Sequence, residues 1–124
     1  MWSVLIVDDN PAVRKLICEL FTREADFLGC AEADNGREAL SKAQELEPDL
    51  VVTDLSMPHM NGLEETRAVR KLMPALPVIL YSAHIDSYVA KEALAAGASA
   101  VVPKTEVVAM LIRTARTLMD ELAA

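Results

Sequence analysis

Leu50-Val51-Val52-Thr53-Asp54-Leu55-Ser56-Met57-Pro58 is the stretch that decides the fold. Four apolar or β-branched residues run into a single carboxylate and then a proline-bearing loop. That is the pattern of a buried strand whose C-terminal end carries a functional group. In open α/β sheets, ligands bind at that end. Three further runs close in the same way. Val4-Leu5-Ile6-Val7 is followed by Asp8 and Asp9, Val78-Ile79-Leu80-Tyr81 by Ser82, and Ala100-Val101-Val102 by Pro103 and Lys104. An acid pair, a lone acid, a hydroxyl and an ammonium at four strand ends are the parts of a magnesium-dependent phosphoryl-transfer site.

Between these runs the pattern turns helical. Asn10 and Pro11 read as N-cap and first helical residue, ahead of a stripe of Val13, Leu16, Ile17, Leu20 and Phe21. A weaker strand is expected over 28–33, with Asp34-Asn35-Gly36 as turn and cap. Ala39, Leu40, Ala43 and Leu46 form the next stripe, which Pro48 closes. Strand 50–54 suits the centre of a sheet because of its β-branched content. A loop over 56–62 precedes a helix over 63–73, stopped at Pro74. Strand 78–81, helix 86–96 ended by Gly97, strand 100–102 and helix 106–122 capped by Thr105 complete the chain. Five βα units in a row imply an α/β fold: a doubly wound, five-stranded parallel sheet with helices on both faces. Residues 1–124 read as one domain, without linker or repeat.

Composition narrows the function. A formal net charge of -7 argues against a nucleic-acid surface on this domain. No apolar run is long enough to span a membrane and no signal-peptide pattern opens the chain, so the expected location is cytoplasmic. Cys18 and Cys30 lack metal-ligand spacing and are expected to be two buried free thiols. His59 and His84 have no partner at ligand spacing, and Mg²⁺ does not favour imidazole. His59 reads as a solvated loop residue, and His84 as a flank of the strand-end pocket.

Three clustered carboxylates repel one another, and a hard cation bound by oxygen ligands offsets that repulsion. Asp9 and Asp54 are the expected direct ligands of Mg²⁺, with Asp8 acting mainly through water and a backbone carbonyl near Ser56 filling a further position. An aspartate beside the cation can attack phosphorus, and Lys104 and Ser82 can stabilise the transferred group. Taken singly, a lysine or serine after a strand is ordinary surface, and paired aspartates are ordinary helix caps. All four in this order at one sheet edge are not explained that way.

The motifs Val7-Asp8-Asp9-Asn10, Val52-Thr53-Asp54-Leu55-Ser56-Met57-Pro58 with Asn61-Gly62, Tyr81-Ser82-Ala83 and Val102-Pro103-Lys104 resemble those of response-regulator receiver domains of two-component signalling. The resemblance covers essentially the whole chain. It implies a flavodoxin-like (βα)5 receiver fold and a phospho-switch, not an enzyme acting on other substrates. It implies that Asp54 takes phosphate from a sensor histidine kinase or a phosphotransfer protein. Ser82 and Lys104 would then read the phosphate and bias a surface formed by the fourth helix, fifth strand and fifth helix, through which a homodimer can form. The wording around Asp54 and Lys104 is similar to receivers that precede LuxR-type helix-turn-helix domains, so the resemblance implies either a stand-alone receiver or one whose DNA-binding domain lies outside this chain.

Departures from the family pattern are informative. Thr105 stands where proline usually follows the lysine, so a trans Lys104–Thr105 peptide is expected. Val101 stands where an aromatic switch residue is frequent. Ser56 and His84 occupy the two positions that tune dephosphorylation in the family. An alternative, a haloacid-dehalogenase-type Mg²⁺-dependent phosphatase, needs its nucleophile in a DxD pattern after the first strand, where this chain has Asp8-Asp9-Asn10-Pro11. A flavodoxin-like cofactor binder needs a glycine-rich phosphate loop there, and Asn10-Pro11-Ala12-Val13 is not one.

Overall fold

Strands and helices alternate along the chain: β1 (Trp2–Val7), α1 (Pro11–Thr22), β2 (Phe27–Ala33), α2 (Gly36–Leu46), β3 (Leu50–Thr53), α3 (Gly62–Leu72), β4 (Val78–Ser82), α4 (Ser87–Ala95), β5 (Ala100–Pro103) and α5 (Val108–Ala123). The computed structural model describes residues 1–123 apart from Ser56, Pro58, His59, His84, Thr105 and Glu106. The strands form one parallel sheet in the order β2-β1-β3-β4-β5. This is the doubly wound, flavodoxin-like arrangement expected from the βα pattern. Winding changes direction between β1 and β3, and a crevice opens at such a switch point.

Period-two alternation splits the strand side chains between two layers. Val4, Ile6, Leu50, Val52, Ile79 and Tyr81 face α1 and α5, where they meet Ile17, Phe21, Leu111 and Ala115. Leu5, Val7, Val51 and Val78 face the other way, onto Ala39 and Ala43 of α2 and Val69 of α3. Leu80 joins Ala93 of α4 and Ala98 in a smaller cluster, against which the partly buried Val101 packs. β3 is buried along its whole length, as its position at the centre of the sheet demands. Pro103 lies in β5, an edge strand, where a missing N–H is tolerated.

Helix starts follow the cap residues. Asn10 Oδ1 accepts from the Ala12 and Val13 amides, Asn35 Oδ1 from Glu38, Asn61 Oδ1 from Glu64 and Asp86 Oδ1 from Val89. Gly97 takes φ 109° just beyond α4, the left-handed geometry of a C-terminal glycine. Thr105, the expected cap of α5, lies outside the described residues, and so does the Lys104–Thr105 peptide.

Three expectations need correction. Leu16 is 51% exposed, because the buried arc of α1 centres on Ile17, Cys18 and Phe21 and turns Leu16 to solvent. Leu46 is also 51% exposed, at the last turn of α2, whose buried face is Gly36, Ala39 and Ala43. Cys18 and Cys30 are not free thiols: they form a disulfide with Cα atoms 5.7 Å apart. Packing of α1 against β2 brings the two side chains together, and a separation of twelve residues carries no signal of it.

Gly62 is required by close approach. A Cβ built on Gly62 would lie 2.1 Å from the Asp54 carbonyl oxygen, and the Gly62 amide donates to the Leu55 carbonyl at 2.8 Å. The N-terminus of α3 therefore rests directly on the backbone that follows β3. Gly62→Ala is expected to destabilise the fold by about 1–3 kcal/mol, since the blocking atom is backbone and cannot swing aside. Gly29 has nothing within 4 Å of the equivalent position, so Gly29→Ala is the control that should leave stability nearly unchanged. Denaturant midpoints of the two variants check this.

Candidate functional site

Register assembles the site. Val7 pairs with Thr53 across β1 and β3, so Asp8 and Asp54, each one residue past its strand, leave the sheet side by side. The Asp54 amide donates to the Val7 carbonyl at 2.9 Å. Ser82 pairs with Pro103 across β4 and β5, and the Lys104 amide donates to the Ser82 carbonyl at 2.8 Å. Carboxylate oxygens of Asp8, Asp9 and Asp54 lie within 4.8 Å of one another. Lys104 Nζ closes the group, 2.8 Å from Asp8 Oδ2 and 3.3 Å from Asp54 Oδ2.

The members differ in exposure. The side chains of Asp8, Asp54 and Lys104 are 3%, 12% and 20% exposed, while Asp9 faces solvent. Asp8 is the most constrained. Its Oδ1 accepts from the Asn10 amide at 2.9 Å, and its carbonyl accepts from Arg14 Nη1 at 2.8 Å. Arg14 is itself held by Glu32 at 2.9 Å. Asp54 Oδ1 accepts from the next amide, Leu55, at 2.7 Å. Burial disfavours the Lys104 ammonium, but the hydrogen bond to Asp8 and the charges of Asp54 and Asp8 outweigh that and hold it above the ordinary lysine range. Burial pushes the Tyr81 phenol up, with Lys104 opposing and Asp8 adding. Lys104 Nζ lies 5.8 Å from the Tyr81 ring centroid, within cation–π reach.

Three carboxylates against one ammonium leave two negative charges uncompensated. The donor set is all oxygen, and the exposed Asp9 gives access from solvent. Those features suit a hard cation.

The strand-end residues singled out from the sequence come together as expected: Asp8, Asp9, Asp54 and Lys104 form the cluster, and Ser82 ends β4 beside it, buried to 2% exposure. Ser56, His59 and His84 lie outside the described residues. A neighbouring pair escaped the sequence reading. Thr53 and Glu65 are fully buried, and the Thr53 hydroxyl lies 2.9 Å from Glu65 Oε1. The available signal was helical period: Gly62, Glu65, Thr66 and Val69 fall at i, i+3, i+4 and i+7, which is the buried face of α3.

The chain matches the response regulator receiver domain family over residues 4–116. The chemotaxis protein CheY of Thermotoga maritima is 39% identical over 101 residues, which cover 82% of this chain and 83% of that protein. The transcriptional activator protein ExaE of Pseudomonas putida is 34% identical over 117 residues, 94% of this chain and 55% of that protein. The chain spans about half the length, or less, of several curated relatives it matches. A solved LuxR-family two-component response regulator from Aurantimonas sp. SI85-9A1 superposes with a TM-score of 0.92 at 33% identity, covering 99% of this chain and 86% of that chain. The haloacid-dehalogenase alternative finds no support in these matches.

Burial pushes the Glu65 carboxyl up from 4.5 to about 8, partly opposed by its hydrogen bond with Thr53. The folded state therefore binds a proton that the unfolded chain releases above its own pKa. The associated stability is fully present below pH 4.5 and is lost as pH rises through about 8. At ~1.4 kcal/mol per unit the loss is on the order of 5 kcal/mol. Glu65→Gln should remove this slope. Unfolding free energies at acid and alkaline ends of that window should show the wild type losing stability relative to the variant as pH rises; parallel curves would contradict the assignment.

Proposed function

This chain belongs to the response regulator receiver domain family, and from that premise we propose that it is a phosphorylation-dependent switch whose phosphoacceptor is Asp54. The phosphoryl donor is the phosphohistidine of a sensor histidine kinase or phosphotransfer protein. The observation that carries the reading is the Lys104 bridge: one ammonium from the end of β5 is held by carboxylates from the ends of β1 and β3. An Asp54 carboxylate oxygen attacks phosphorus and forms an acyl phosphate. The P–N bond breaks with its electron pair going to the imidazole, which a solvent proton neutralises. The chain acts on its own phosphorylation and dephosphorylation, with no other substrate.

Each residue has a separable part. Asp8, Asp9, Asp54 and the Ser56 backbone carbonyl would hold Mg²⁺, consistent with an all-oxygen cluster carrying excess negative charge. Bound there, Mg²⁺ would neutralise the cluster and the phosphoryl oxygens. The Asn10 amide on Asp8 Oδ1 and the Leu55 amide on Asp54 Oδ1 orient the two buried carboxylates before reaction. Lys104 can exchange its 3.3 Å contact with Asp54 for a phosphoryl oxygen. Ser82, at the adjoining strand end, donates its hydroxyl to another and draws the segment before α4 with it. Ser56 and His84 tune the phosphate's lifetime.

The output surface is α4, β5 and α5, through which a homodimer can form. Tyr88 of α4 and Val107, the residue just ahead of α5, are strongly exposed, at 70% and 71%. Residues 1–124 act as the receiver unit of a cytoplasmic regulator, with a DNA-binding domain outside this chain, a reading supported by the likeness to a DNA-binding response regulator of the LuxR family. No helix among the described residues is long and apolar enough to cross a membrane.

Acetyl phosphate with Mg²⁺ should add one alkali-labile phosphate. Chelation of the metal should abolish labelling, and so should Asp54→Ala; wild-type labelling of Asp54→Ala, followed by intact mass, would sink the reading. With Val101 at the switch position, no large ring relocates, so coupling runs through Ser82. Ser82→Ala should still be labelled but lose the amide chemical-shift changes across α4 and β5. Val101→Ala should keep them.

A further inference from the structure

We propose that Glu65 is a positioning residue for the phosphoacceptor: its carboxyl group engages the Thr53 hydroxyl, Thr53 engages the Asp54 carbonyl, and this relay fixes the backbone from which the Asp54 carboxylate projects. The inference rests on the phosphoacceptor reading of Asp54 and adds to it a residue outside the carboxylate–lysine cluster.

The geometry defines a direction for the hydrogen bonds. Thr53 Oγ1 lies 2.9 Å from Glu65 Oε1 and 3.1 Å from the Asp54 carbonyl oxygen. A hydroxyl has one proton and two lone pairs. If Glu65 is neutral, its O–H donates to Thr53 Oγ1 and the Thr53 proton goes to the Asp54 carbonyl, so both short contacts are hydrogen bonds. An ionised Glu65 would take the Thr53 proton and release the carbonyl. Burial favours the neutral acid: both residues are fully enclosed, and Glu65 Oε2 has no partner among the described residues. The direction of the Glu65 shift agrees.

Two contacts from one helix face meet at the same atom. Gly62 presses on the Asp54 carbonyl from the first turn of α3, and Glu65 reaches it through Thr53 from one turn later. The carbonyl is thereby pinned, and the carboxylate leaves the backbone in one direction, with Oδ1 on the Leu55 amide and Oδ2 toward Lys104. Packing alone does not explain an acid here. A leucine would fill the site between α3 and β3 without stranding an oxygen, and an unsatisfied buried polar atom in a native fold calls for another reason.

The test compares Glu65→Leu, Glu65→Gln, Thr53→Val and the Leu/Val double variant, each shown folded by denaturant melts. Initial rates of acetyl-phosphate labelling are read beside the carbonyl ¹³C resonance of Asp54. Glu65→Leu and Thr53→Val should each slow labelling by roughly five- to tenfold, the equivalent of one hydrogen bond. The double variant should be no slower than either single, because both break one relay. Glu65→Gln, whose amide can still donate to Thr53, should keep a near-wild-type rate. A protonated-carboxyl infrared band should vanish in both Glu65 variants and shift in Thr53→Val. Wild-type rates in Glu65→Leu and Thr53→Val, or independent losses that multiply in the double variant, would overturn the proposal. So would the absence of that band at neutral pH. If the wild type takes no phosphate while the Asp54 carbonyl resonance still moves in both single variants, the phosphoacceptor reading fails. The relay is then structural and its positioning role is overturned.

Discussion

Like charge held together at one sheet edge is the constraint to which the rest of the site answers. Parallel register sets Asp8 beside Asp54, and Asp9 follows, so three carboxylates share a small volume. Two unit charges about 5 Å apart repel by roughly 3 kcal/mol at an effective dielectric near 20. Lys104 offsets part of that and is anchored for the purpose, its own amide tied to the end of β4. What is left over is an excess of negative charge open to solvent through Asp9. On the proposed reading a phosphoryl group would bring more negative charge to the same place, so cation, lysine and phosphate would have to balance one another there.

The two apolar layers supply the rigidity that such a balance needs. Side chains alternating from β1 and β3 lock into α1 and α5 on one face and into α2 and α3 on the other. Strand ends cannot then drift apart to relieve repulsion. α3 adds a local restraint: a glycine that admits the Asp54 carbonyl, and a buried Thr53–Glu65 pair beneath it. α4 contributes little to the core, Ala93 being its one buried residue.

Much of this was legible from residue order. Apolar runs ending in Asp8, Asp54, Ser82 and Lys104 placed the strands, and Asn10 and the Asp34-Asn35-Gly36 turn marked two helix starts because an Asx side chain has one strong use there. The meeting of Lys104 with Asp8 and Asp54 followed from strand ends alone, because a parallel sheet puts all C-terminal ends on one edge. The misreadings share a physical cause. Leu16 and Leu46 show that apolar residues at helical spacing do not say which of them the neighbour covers. The Cys18–Cys30 bond depends on how α1 settles against β2, a tertiary fact absent from local pattern. Glu65 was passed over because an acid in the first turn of a helix is usually a solvated dipole partner, and only the period of α3 contradicts that.

If Asp54 is the phosphoacceptor, a phosphate mimic must seat at its edge. Beryllofluoride with Mg²⁺, titrated into isotope-labelled protein, should shift amides at Asp54 and Leu55, at Ser82 and Ala83, and at Lys104, then propagate into α4 and β5, while residues at the opposite end of β1 near Trp2 stay in place. Shifts confined to other surfaces, or the same response in Asp54→Ala, would contradict it.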